Sequence, residues 1–118
     1  AGGVHRMPRA VPRNIAHEMM ATGEPIDAQR AYHFGLVNRI APNDKVLDVA
    51  LDLARTIAAN APIAVRESLK VARMAHDLSD ADLRRRSAEA SEANRRSEDS
   101  KEGPRAFLEK RAPRWTGR

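Results

Sequence analysis

The chain has 118 residues, 42% of them hydrophobic but 3% aromatic, which predicts one domain with a modest core of Ala, Leu, Val, Ile and Met. It contains no cysteine, which excludes a disulfide framework, a thiolate nucleophile and a Cys-based metal site, and it has no apolar run of the roughly 18 residues that a membrane span needs. The formal net charge of +5 gathers at the ends: residues 1–41 carry five Lys/Arg against three Asp/Glu, residues 42–79 five of each, and residues 80–118 eleven against eight.

In chain order, Pro12 takes the favoured first position of a helix running to about Ala21, and Gly23 is placed to end it. Asp27 caps a short helix, Ala28 to Phe34, which Gly35 terminates. Leu36 to Ala41 is a short apolar run with Val and Ile, the best strand candidate. Pro42-Asn43-Asp44 makes a turn and an N-cap. The residues Val46, Leu47, Val49, Ala50, Leu53, Ala54 and Ile57 then mark one wide apolar face, predicting a buried amphipathic helix of about four turns.

Asn60-Ala61-Pro62 breaks that helix and starts another, in which Val65, Leu69, Ala72 and Met74 are expected to point inward. Ser79-Asp80-Ala81-Asp82 begins a third, running through Arg84-Arg85-Arg86 toward Asn94. Its small residues Ala88, Ala90, Ser91 and Ala93 suit close packing on a neighbour. Acids follow the Arg run at helical spacing, for example Arg85 with Glu89, which predicts a solvated ion-pair face rather than the one-sided stripe of a nucleic-acid binder.

At the end of the chain, Asp99 is positioned to cap a last helix and Glu102 to complete a capping box. Phe107 and Lys110 lie three apart and so share a face of that helix. An aromatic and a cation side by side suit a ligand carrying a flat ring and a phosphate; a plain surface helix with one anchored Phe fits the same pattern. The fold class predicted is mainly α with one short strand. A lone strand has nothing to pair with, so the rest of a sheet is expected upstream, and a first residue of Ala rather than Met points the same way.

Most site templates find no match. The histidines, His5, His17, His33 and His76, include no i, i+4 pair and no HExxH, so no metal site is expected. No serine sits in Gly-x-Ser-x-Gly, and Gly2-Gly3 lacks the further glycines of a phosphate loop. No catalytic residue is expected within this chain.

Four blocks in order carry a family resemblance. They are Ala1-Gly2-Gly3-Val4-His5-Arg6-Met7-Pro8-Arg9; Thr22-Gly23-Glu24-Pro25-Ile26-Asp27-Ala28 with Ala31 and Gly35-Leu36-Val37-Asn38; Asn60-Ala61-Pro62 with Ala64 and Lys70; and Glu102-Gly103 to Arg111. Together they resemble the enoyl-CoA hydratase/isomerase (crotonase) family. The ending Pro113-Arg114-Trp115-Thr116-Gly117-Arg118 and the Gly-Gly-Val start resemble its carnitinyl-CoA dehydratase subgroup in particular.

The resemblance implies the C-terminal part of an α/β crotonase-like (ββα superhelix) fold, with residues 1–42 ending the core domain and residues 43–118 forming a helical oligomerisation and acyl-CoA-covering domain. It implies hydration or dehydration of a 2-enoyl-CoA through an oxyanion-stabilised enolate, with the glutamates and oxyanion donors upstream of Ala1 and the 118 residues inactive alone. Ala1, Gly2 and Gly3 are then expected to border the active site. Phe107 is expected to pack near the CoA moiety and Lys110 to meet its phosphate, in many members from a neighbouring subunit. His5 and Val4 stand where hydratases often carry Gln and Thr, which bears on substrate identity. The expected partners are an acyl-CoA substrate and copies of the same chain in a trimer or dimer of trimers, with no nucleic acid, no membrane and no cofactor beyond the coenzyme A of the substrate. A reducing cytoplasm is the expected location. Two other readings stay open on the residues: a non-catalytic helical oligomerisation module and a basic nucleic-acid-binding helical domain.

Overall fold

Side-chain caps at Asp27 and Ser79 start two of the helices in the computed structural model, which describes residues 2–118. Those residues form α1 (Gly3–Ala10), α2 (Arg13–Thr22), α3 (Ala28–His33), α4 (Val46–Ala58), α5 (Pro62–Ala72), α6 (Asp80–Arg95) and α7 (Asp99–Leu108). The chain divides into two compact units, the first ending at Ala50 and the second running from Leu51 to Arg118, with the division inside α4.

In the first unit, α1 is a helix that the sequence pattern did not mark. Gly2 turns the chain into it with φ 88°, a left-handed value natural to glycine, and its carbonyl accepts from the Arg6 amide at 3.1 Å. Pro12 flanks α2 with φ −50°, one residue before its first helical position, and accepts from the Ala16 amide at 3.1 Å. Gly23 closes α2 at φ 71°. These turns fold α1 onto α2 and bury Val11, Ile15 and Ala16, with Met7, Met19 and Phe34 packed around them. The Asp27 carboxylate caps α3 by accepting from the Arg30 amide at 2.7 Å, and Arg30 pairs with Glu18 of α2 at 3.0 Å.

Residues 36–41 form no strand, contrary to the periodicity of Leu36 to Ala41. Their backbone runs through bends and irregular conformations, with Leu36, Val37 and Ile40 each 36–37% exposed. A strand is stabilised by a neighbouring ladder, and no described residue provides one.

The apolar pattern of α4 is present, but its expected burial is not. Val46 is 53% and Leu47 69% exposed, and none of the helix's residues is buried. Amphipathic spacing defines which face is apolar; burial requires an opposing surface, and along this face only Val49 and Leu53 are half-buried.

In the second unit, Pro62 starts α5 at its first turn, as its missing N–H favours. Val65 and Met74 are half-buried, whereas Leu69 and Ala72 remain exposed, correcting the inward positions expected of them. The Ser79 hydroxyl caps α6 by accepting from the Asp82 amide at 3.2 Å. Helix α6 packs along α5, with Ala90 and Ser91 lining one groove with Ser68 and Val71. Its arginines form the expected ion-pair face with shifted partners: Arg85 reaches back to Asp82 at 2.8 Å, and Arg86 takes Glu89 at 2.9 Å. Among the described residues no helix is long and apolar enough to cross a membrane.

Candidate functional site

The end of the second unit brings together the residues with the most specific contacts. Asp99 does not cap α7. It is the first helical residue and is 2% exposed, and the capping oxygen belongs to Ser97, whose hydroxyl accepts from the Ser100 amide at 3.1 Å. The Asp99 carboxylate instead accepts from residues 17 and 18 positions later. Its Oδ1 takes the Thr116 amide at 2.7 Å and the Thr116 hydroxyl at 3.1 Å, and its Oδ2 takes the Gly117 amide at 2.9 Å.

Glu102 likewise completes no capping box. Its Oε1 accepts from Arg111 Nη1 at 2.5 Å and from the Arg114 amide at 2.7 Å, while Oε2 accepts from Arg111 Nη2 at 3.0 Å. A guanidinium fork on a carboxylate is the strong, directional form of an ion pair, and here it outcompetes a local cap. Arg111 also gives its Nε to Glu109 Oε2 at 2.6 Å, whose Oε1 holds Arg105 Nε at 2.9 Å. Further along, the Trp115 indole N–H donates to the Ala59 carbonyl at 2.8 Å, and its ring lies against Gly103. Two carboxylates of α7 thus hold the tail beyond it.

These contacts shift the acids. Hydrogen bonding from Arg111, reinforced by the Arg114 amide, holds the Glu102 carboxyl down at about 2, against the opposing effect of desolvation. The Thr116 amide leads the groups that lower Asp99. A carboxyl whose folded value lies below its unfolded one adds stability in full above the unfolded value and loses it as pH falls through the folded one. The chain is therefore expected to lose stability as pH falls from about 4.5 to about 2. Glu102→Gln should remove part of that slope in an acid titration followed by circular dichroism; an identical slope would mean that this pair does not contribute.

Phe107 and Lys110 do not share a helix face. Helix α7 ends at Leu108, and Lys110 lies beyond it at φ 52°, in the left-handed position that closes a helix. Two bonds make that closure: the Lys110 amide to the Phe107 carbonyl at 3.2 Å and the Arg111 amide to the Ala106 carbonyl at 3.0 Å. Phe107 is 83% and Leu108 80% exposed at the tip of α7, so the ring is not an anchored core residue. The two residues stay close along the backbone at one helix end, through the turn that bonds the Lys110 amide to the Phe107 carbonyl rather than through helical periodicity.

Of the residues expected at an active-site border, Ala1 lies outside the described residues. Gly2 and Gly3 lie at the start of α1 in the first unit. A β-carbon on Gly2 would sit 2.9 Å from Arg6 Nη2, whereas Gly3 has open space around it. Sequence reasoning missed Arg111, Trp115 and Thr116, and misread Asp99 and Glu102. Their partners lie 9 to 56 residues apart, a separation without a periodic signature.

A model of the enoyl-CoA hydratase/isomerase family matches residues 1–118. The chain is 38% identical over 121 residues to the carnitinyl-CoA dehydratase of Salmonella arizonae, covering 99% of this chain and 46% of that protein. With its counterpart from Proteus mirabilis it shares 38% identity over 122 residues, covering 100% of this chain and 47% of the relative. Among solved structures, an enoyl-CoA hydratase from Bacillus anthracis superposes with a TM-score of 0.95 at 34% identity, over 100% of this chain and 46% of that one. An enoyl-CoA hydratase from Mycobacterium tuberculosis gives 0.90 at 38% identity, over 99% and 46%. The chain spans about half the length of the curated relatives it matches. With every residue matched and both the sequence and the helical fold in agreement, the chain belongs to the enoyl-CoA hydratase/isomerase family.

Proposed function

We propose that these residues are the C-terminal, substrate-covering and assembly part of an enzyme that adds water to, or removes it from, the 2-enoyl bond of an acyl-CoA thioester. The observation that carries this reading is the family match over residues 1–118, joined to 38% identity with carnitinyl-CoA dehydratases. In the hydration direction the water oxygen bonds to C3, a proton goes to C2, and the thioester oxygen bears the transient negative charge. Two backbone N–H groups stabilise that oxygen and glutamates move the protons. On this reading those groups lie upstream of Ala1, and the 118 residues alone do no chemistry.

What this part supplies is grip and assembly. Phe107 offers an exposed ring and Lys110 a cation just past the end of α7, a pairing suited to the CoA moiety and its phosphate. A lysine at a phosphate makes a charge-assisted contact of about 1.5–3 kcal/mol, and tenfold in affinity corresponds to about 1.4 kcal/mol. Lys110→Ala in the complete enzyme is thus expected to raise KM for crotonyl-CoA or crotonobetainyl-CoA about tenfold or more, with kcat less affected. An unchanged KM would sink the assignment of Lys110.

The open apolar surface of α4, with Val46, Leu47, Leu51 and Ile57 all exposed, favours the assembly role. We assign it to contacts within a trimer or dimer of trimers of the complete enzyme, in the cytoplasm and without a cofactor beyond the coenzyme A of the substrate. The same surface supports a second reading, a non-catalytic oligomerisation module, which a Lys110-dependent KM would rule out.

A further inference from the structure

Lys110 is the one non-glycine residue with positive φ among the described residues. Left-handed backbone disfavours a side chain with a β-carbon, and glycine is the usual occupant of this helix-closing position. Such a conformation persists where the surroundings over-determine it, and it is commoner where a side chain must be aimed.

The surroundings that over-determine it are on both sides of Lys110. Before it, both carboxylate oxygens of Glu109 are engaged, by Arg105 and by Arg111. After it, Arg111 is held by the two-pronged bond to Glu102, whose Oε1 also receives the Arg114 amide. Glu102 sits inside α7 and is largely sheltered, with its side chain 16% exposed, so the fork ties the segment after Lys110 to a regular helix. The arrangement has an electrostatic side as well. Glu109 adjoins Lys110 and would both compete for the ammonium and repel an incoming anion, but its charge is answered by two guanidinium groups.

We propose that Glu102 and Arg111 are positioning residues for substrate: their ion pair pins the backbone just after Lys110 and so holds its ammonium where a CoA phosphate meets it. This rests on the assignment of Lys110 under Proposed function. Neither residue of the pair needs to touch the substrate, and the effect passes through the backbone of residue 110.

The test is a double-mutant cycle in the complete enzyme, read as KM and kcat for crotonyl-CoA, with Glu102→Gln, Lys110→Ala and the two combined. Glu102→Gln keeps the side-chain shape but removes the charge, and it is expected to raise KM about fivefold with kcat within about twofold. In the Lys110→Ala background the same change should add less than about twofold, because the group being positioned is gone. Arg111→Lys keeps the charge but cannot make two parallel bonds, so it should follow the same pattern and carries the test if Glu102→Gln does not fold. A KM untouched by both changes, or one that rises by the full factor even without Lys110, overturns the positioning role while leaving the Lys110 assignment standing. A KM indifferent to Lys110→Ala itself removes that assignment and the positioning role with it.

Discussion

Trp115→Ala is expected to lower the melting temperature by about 10 °C, corresponding to a loss of about 2–3 kcal/mol. The indole joins segments 56 residues apart, donating its N–H to the Ala59 carbonyl at 2.8 Å. Its ring is half-buried against Gly103, where a β-carbon would stand 3.5 Å from Cη2. About 1 kcal/mol belongs to the hydrogen bond and the rest to the apolar area that the ring covers. Trp115→Phe separates the two, since it keeps most of the ring and loses the donor; it should recover more than half of the lost stability. A Trp115→Ala protein melting within about 2 °C of the parent would show that the tail does not lean on this side chain. The tail's other fastenings run through Asp99 and Glu102, so loosening it is expected to disturb the segment just past α7 that carries Lys110.

Ile15→Ala is expected to cost about 3 kcal/mol, seen as a lower denaturant midpoint at an unchanged slope. Ile15 is 7% exposed and packs with Val11 and Ala16, under Met7, Met19 and Phe34. The first unit has few buried side chains with which to fill the space left behind, since only Ala31 joins these three among its described residues. Ile15→Val removes a single methyl and should cost about 1 kcal/mol. Equal midpoints for the alanine variant and the parent would mean that α1 and α2 are not held together by this cluster.

The two sites differ in how legible they were. The pairing of α1 with α2 runs through near neighbours in sequence, yet the sequence pattern marks no helix over residues 3–10. Gly2 serves as the left-handed entry to the helix, and Pro8 occupies it without an amide to donate. Phe107 and Lys110 stood out as an aromatic and a cation three apart, but helical periodicity was the wrong reason for their proximity. The chain leaves the helix between them. Asp99 and Glu102 matched a capping box by spacing alone, while the groups they bind arrive from positions 111 to 117.

By itself the sequence determined four helix boundaries: Gly23 closing α2, Asp27 capping α3, Pro62 opening α5 and Ser79 capping α6. It also carried the family, through four blocks spread along the chain. Those signals act within one helical turn or through residue identity, so no distant partner is needed to read them. Tertiary structure alone decided that residues 36–41 make no strand, that α4 keeps its apolar face open, and that two presumed caps are anchors for the tail. Each of these depends on whether another segment supplies a ladder, a surface or a donor, and that is a property of the folded chain rather than of any window of residues.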